Sequence, residues 1–269
     1  MNQQIEKPRA KYKDKIRDMK TRFVELMPDV DVCLLGLQGS RMLGLAMTND
    51  ADWDYRGVYV AKNEELLSFN QPREQYVYCD PRDDEMDYVI YEVGKFMRMC
   101  MKGNPSVLHI FWTPHVNYQN NVGQYLLANR EVFLSEKAIR NSFGGYAMSQ
   151  ILYLKRNHKL KSGLQQRKEK HIRHCFRLFD SGQELLETGN ITLPLKDPQK
   201  YIELSKITDE DKLFKLFEQR DREFQAAKSI LPVRPNEYMI NKMLLAIRFE
   251  IEINPIVCPT TTRSASLAI

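Results

Sequence analysis

The sequence has no uninterrupted apolar run approaching 18 residues, so no transmembrane helix is expected. Its opening stretch, "MNQQIEKPRAKYKDKIRD", is charged throughout and lacks the apolar core of a secretion signal; a cytoplasmic protein is expected. Cysteine is sparse: Cys33, Cys79, Cys100, Cys175 and Cys258 are scattered, odd in number and form no C-x-x-C. Free thiols in a reducing compartment account for them better than disulfides or zinc. The five histidines form no metal set; His171 and His174, three apart on a helical pattern, have no further ligands beside them. Charge is nearly balanced at +5, which permits a nucleic-acid partner without demanding one. No internal repeat or long low-complexity stretch is present.

What remains is ordinary globular composition, 43% apolar and 28% charged over 269 residues, enough to bury a sizeable core in one large domain or two modest ones. The two halves differ in character. Apolar spacing predicts an opening helix over 9–27, after Pro8. "DVCLLGL" reads as a buried strand and "WDYRGVYV" as a second strand ending near Lys62. "QYVYC" is a third, and "MDYVIY" a fourth that runs into the helical "EVGKFMRMCMKG". Beyond residue 120 no strand is expected, only long helical patterns at "NSFGGYAMSQILYLKRNHKL", "QRKEKHIRHCFRLFDSGQELLETG", "DEDKLFKLFEQRDREFQAAKSI" and "NEYMINKMLLAIRFEIEI". Gly163, Gly189 and the proline-containing stretches 194–198 and 232–235 supply breaks. The expected fold is α+β: a mixed-sheet catalytic domain over 1–118, an all-helical domain over 119–258, and a frayed tail over 259–269.

The chemistry sits in "LQGSRMLGLAMTNDADWDYRGVYV". On a strand, residues two apart point to one face, so Asp52 and Asp54 are expected side by side with Trp53 turned into the core. Carboxylates that close raise each other's pKa unless a cation neutralises them, and paired carboxylate oxygens suit Mg²⁺ or Mn²⁺. Gly39-Ser40, ending the preceding strand, offers backbone amides to a phosphate. A Gly-Ser pair or a D-x-D alone is common in solvated loops. The order carries the signal: apolar strand, Gly-Ser, eleven intervening residues, D-x-D, strand. Phosphate beside a metal is the arrangement of phosphoryl or nucleotidyl transfer.

That order resembles the h-G-[GS]-x(n)-D-h-[DE]-h signature of the DNA polymerase β-type nucleotidyltransferase superfamily. More narrowly, the chain is similar to a family of predicted nucleotidyltransferases of bacteria and phages associated with RNA repair. "GSRMLGLAMTNDADWDYRGVYV", "DYVIYEVGKFMRMCMKGNPSVLHIFW", "FGGYAMSQ" and "KEKHIRHCFRL" carry the likeness, from about residue 33 to 190. Ala51 stands where that family usually has Ser, and His109 where it usually has Glu.

The resemblance implies a third carboxylate, matched by Asp87. The strand pattern alone leaves open whether Asp87 completes a metal site or continues the acidic run "DDEMD". The implied activity is transfer of a nucleoside monophosphate from an NTP to an acceptor hydroxyl, with release of pyrophosphate. Asp52, Asp54 and Asp87 would serve as catalytic and metal-binding residues for two Mg²⁺ or Mn²⁺ ions about 3.5–4 Å apart, and Gly39, Ser40 and Arg41 would hold the phosphates. Lys170 and His171, in the matching helical block, would reach the nucleotide from the helical domain. The acceptor implied is an RNA 3′ end, with tRNA a candidate. A protein or small-molecule acceptor, or a non-catalytic nucleotide- or RNA-binding protein, are the alternatives. Residues 155–177 are rich in lysine and arginine with Glu169 the single acid, which leaves a phosphate track and a solvated face as equal readings. Glu92 and Lys95 are expected to pair within their helix, Asn104-Pro105 to stop one helix and start another, and His109 and His115 to be structural. Arg56 shares the face of Asp54 and has no assigned role.

Overall fold

The computed structural model describes residues 30–46, 51–79, 86–157 and 165–249. The expected opening helix over 9–27, Gly163 and the tail lie outside the described residues.

The first half is a five-stranded mixed sheet. Val32–Leu37 (β1) is buried along its whole length, as befits an apolar run covered on both faces. A five-residue helix, Gly39–Leu43 (α1), follows at once. Trp53–Tyr59 (β2) alternates buried and half-exposed positions at its start, and a short helix, Asn63–Leu67 (α2), leads to Gln75–Cys79 (β3). Met86–Glu92 (β4) repeats the alternation of β2. The strand order is β3-β4-β2-β1-β5, where β5 is Val116–Gln119; β2 and β4 run parallel and the other neighbours antiparallel.

β5 is a strand beyond the four expected from sequence. It is four residues long and half-exposed, so it carries little apolar signal of its own; pairing with β1 creates it. β2 ends at Tyr59 rather than near Lys62, and it begins at Trp53.

Two tyrosines set the register that matters. Tyr55 and Tyr88 are fully buried and paired across β2 and β4, their rings stacked with centroids 5.2 Å apart. Such a pair contributes roughly 0.5–1.5 kcal/mol beyond its buried area. A one-residue slip of either strand would turn its ring to the opposite face and break the stack.

β4 runs straight into Val93–Met101 (α3), where Glu92 caps the helix by accepting from Gly94 N at 2.7 Å. The expected Glu92–Lys95 pair does not form. Glu92 is claimed by Arg248, and Lys95 lies 3.4 Å from Glu74. Asn104 caps Pro105–Leu108 (α4), followed by a 3₁₀ turn, His109–Phe111. Asn121–Ala128 (α5) packs against β1: a methyl at Gly123 would lie 2.1 Å from Cys33 O.

The remaining elements among the described residues are helical. A 3₁₀ turn, Arg130–Phe133, and Glu136–Ile139 (α6) lead into a π-helical turn, Arg140–Gly144. Gly145–Asn157 (α7), Gln165–Thr188 (α8), Pro198–Ser205 (α9), Glu210–Ala226 (α10) and Glu237–Arg248 (α11) follow. α9 begins inside the stretch read as a break: Asp197 accepts from Lys200 N and Pro198 takes the first turn, where its missing N–H costs nothing. α8 is the central post, with Ile172, Cys175, Phe176 and Phe179 buried. The end of α11 returns to the sheet, where Arg248 also donates to Ala61 O at 3.3 Å and accepts from Asn63 Nδ2 at 2.7 Å.

Candidate active site

Asp54 and Asp87 are register partners on the parallel strands β2 and β4, on the face opposite the stacked tyrosines. Both are half-buried. Gly39 seals the other side of Asp54. Its φ is +67°, and a Cβ there would fall 1.9 Å from Asp54 Oδ2, so only glycine lets α1 approach the carboxylate. Gln38 N donates to Asp54 O at 2.8 Å, tying the β1–α1 junction to β2.

Asp52 departs from the strand geometry expected of it. It precedes β2 and is exposed, and its negative charge still acts on Asp54. Asp54's pKa is raised, chiefly by burial; Arg56 lowers it, Asp87 and Asp52 raise it further, and Lys170 lowers it. Ser40 and Arg41 lie on α1. Arg41 Nε donates to Ala51 O at 2.8 Å, and its guanidinium stacks 4.1 Å over the Trp53 ring, so it holds the segment that carries Asp52. Trp53 is buried, as its place between the acids predicts.

From the helical half, α8 contributes Lys170, whose charge reaches Asp54. His171 faces elsewhere: its ring lies 4.1 Å from that of Tyr153 on α7, with Nδ1 against Gln150 Oε1. The structure therefore gathers Gly39, Asp54, Asp87 and Lys170, with Asp52 and Arg41 at the rim, and leaves His171 on the α7 side.

Two neighbours were not singled out as site residues by sequence. Arg56 is one charge that opposes the acids, and its Nη1 donates to Tyr55 O at 3.0 Å. Cys79 Sγ donates to Asp87 Oδ1 at 2.8 Å across the β3–β4 pair; no linear motif marks a cysteine eight residues upstream of an acid. His109 is not simply packed among aromatics. It meets the buried Arg177 of α8, Nε2 to Nη1 at 3.4 Å, and burial, then Arg177 and His174, holds its pKa well below the usual range.

The basic stretch is also altered by tertiary contacts. Lys168 pairs with Glu210 of α10 at 3.2 Å and Arg173 with Glu169 at 3.7 Å, and Arg177 is buried. One acid, Glu210, comes from a distant helix and the other, Glu169, from the stretch itself, while Lys155, Arg156, Arg167 and Lys170 hold exposed positions outside these two pairs.

Among the described residues no three His, Cys, Asp or Glu side chains enclose a metal position. The donors nevertheless fit Mg²⁺. That ion keeps several waters and is held by one or two carboxylates together with substrate phosphates, and the adjacent Asp54–Asp87 pair has an electrostatic need for a cation.

The family model of the RNA repair pathway DNA polymerase beta family (RlaP) matches residues 12–242. Among solved structures, a nucleotidyltransferase-like protein from Exiguobacterium sibiricum aligns over 88% of this chain and 81% of its own at 12% identity, with a TM-score of 0.31. No curated protein matches the chain. Since the family match takes in both the paired aspartates and the helices that face them, the chain belongs to the RNA repair pathway DNA polymerase beta family.

Proposed function

We propose that this protein is a metal-dependent nucleotidyltransferase that moves a nucleoside monophosphate from an NTP to the hydroxyl of an RNA 3′ end, with tRNA a candidate. The observation that carries this is the register pairing of Asp54 with Asp87, with the Gly39 backbone against Asp54 and the Lys170 charge acting on it. Paired carboxylates beside a lysine charge and a glycine-opened helix start suit a site that takes cations and phosphates.

The residues divide the work by position. Gly39, Ser40 and Lys170 bind the triphosphate, and Arg41 keeps Asp52 at the rim. His171, expected from the family resemblance to reach the nucleotide, supports α8 through α7 in this reading. Asp52, Asp54 and Asp87 would hold Mg²⁺ or Mn²⁺, two ions in the full arrangement, which supply neutralisation of phosphate charge and a lowered pKa for the acceptor hydroxyl. The acceptor oxygen bonds to the α-phosphorus, the bond to the β-phosphate oxygen breaks, pyrophosphate leaves, and the hydroxyl proton passes to Asp87. The protein's contribution is alignment and charge placement. RNA as acceptor is supported by the family's repair association and by the exposed Arg156 at the end of α7 and Arg167 on α8, the helix of Lys170.

The test is incubation of the purified full chain with each α-labelled NTP, Mg²⁺, and either total RNA or a protein extract. Label on RNA 3′ ends is the expected result. Label on protein would move the acceptor, and no incorporation with any NTP would overturn the assignment.

A further inference from the structure

On α8 successive residues turn about 100°, so Lys170, His174 and Arg177 fall within a stripe about 60° wide, while His171 lies about 100° from Lys170. One electrostatic influence and one contact turn this stripe toward the first half of the chain. The Lys170 charge acts on Asp54 of β2, and Arg177 Nη1 meets His109 Nε2 from the 3₁₀ turn after α4. The stripe carries two cations, a histidine and no carboxylate, which suits an anion.

Arg177 decides what His174 can do. A guanidinium only donates, and Arg177 Nη2 sits 2.7 Å from His174 Nδ1. Nδ1 is therefore the acceptor, and the imidazole proton is on Nε2. Among the described residues no acceptor meets Nε2, and the side chain is part-exposed. Burial first, then the charges of Arg177, His171 and Lys170, push the His174 pKa down to about 3, so the ring stays neutral and keeps one outward N–H. His174 stands about 6 Å along the helix from Lys170, within reach of the same polyphosphate chain.

We propose, resting on the nucleotidyltransferase reading, that His174 donates from Nε2 to the triphosphate bound beside Lys170, with Arg177 as the positioning residue that fixes the tautomer. Sequence resemblance points to the neighbouring histidine; the tertiary packing of α8 selects this one.

The experiment is calorimetric titration of the full chain, in Mg²⁺, with inorganic triphosphate and with the α,β-methylene analogues of ATP, CTP, GTP and UTP. His174→Asn keeps an acceptor for Arg177 but loses the outward donor, and should weaken triphosphate binding about tenfold or more. His174→Gln, whose amide reaches the Nε2 position, should recover much of that loss. Imidazole ¹⁵N shifts of the wild-type chain at pH 7 should show the Nε2–H tautomer at His174, and Arg177→Met should erase that preference. A wild-type chain that binds these probes while His174→Asn binds them equally well overturns the assignment, as does an Nδ1–H tautomer in the wild type. Failure of the wild-type chain to bind any probe would instead overturn the nucleotidyltransferase reading and this inference with it.

Discussion

Replacing Gly39 by alanine puts a methyl where the site's central carboxylate already is. Two costs follow, and a control separates them. The first is backbone strain: at φ +67° an L-residue pays about 1–2 kcal/mol. Gly44, at the other end of α1, has φ +76° and pays the same, while its added Cβ meets only Pro198 Cγ at 3.2 Å and Pro carbons beyond. For a chain this size each kcal/mol lowers the unfolding midpoint by about 2–4 °C, so both variants should melt a few degrees early. The second cost belongs to Gly39 alone. Its Cβ would lie 1.9 Å from Asp54 Oδ2 and 2.8 Å from Cγ, so the Asp54 carboxylate must leave the position it holds against Gly39. Displacement of a reacting group by about 1 Å costs on the order of 10²-fold in rate. At a temperature where both variants are folded, Gly39→Ala should lose about 10²-fold in label transfer from NTP, while Gly44→Ala stays near wild type. Equal activity in the two variants would refute the claim that Gly39 exists to admit Asp54.

Three further outcomes are expected. In EDTA, Asp54→Asn should melt no lower than the wild type: a carboxyl whose pKa is raised by burial and by Asp87 and Asp52 is stabilising only while protonated and loses that contribution as pH rises, so a neutral amide removes a penalty; a clear drop in midpoint would contradict the electrostatic reading. Acid should destabilise the fold through His174, whose depressed pKa of about 3 means its contribution is full above pH 6.5 and is lost on descent toward 3; at pH 5 the loss is about 2 kcal/mol, and His174→Gln should flatten that part of a urea-unfolding pH series. Arg248→Met leaves Glu92 buried without its partner and should cost about 3–5 kcal/mol, read as a lowered urea midpoint, with Glu92→Gln in the same chain restoring part of it.

The sequence by itself determined the elements whose patterns are local. Four strands, the long α8 and the α+β division follow from alternation, apolar spacing and breaks within windows of ten to twenty residues. The G-S to D-x-D interval was legible as a pattern, but strand geometry holds for Asp54 alone, since β2 begins at Trp53 and leaves Asp52 ahead of it, and the strand pattern left the role of Asp87 open. Only the tertiary structure decided pairings between distant segments, since no local spacing encodes them. β5 is a strand because β1 needs a neighbour, and Asp54 meets Asp87 because Tyr55 stacks on Tyr88 beneath them. Glu92 takes Arg248 over Lys95, Lys168 finds its acid on α10, and Arg177, wedged between His109 and His174, fixes which imidazole nitrogen carries the proton. Each of these depends on where a buried or half-buried charge finds its counterpart, and that is settled by how the helices close over the sheet.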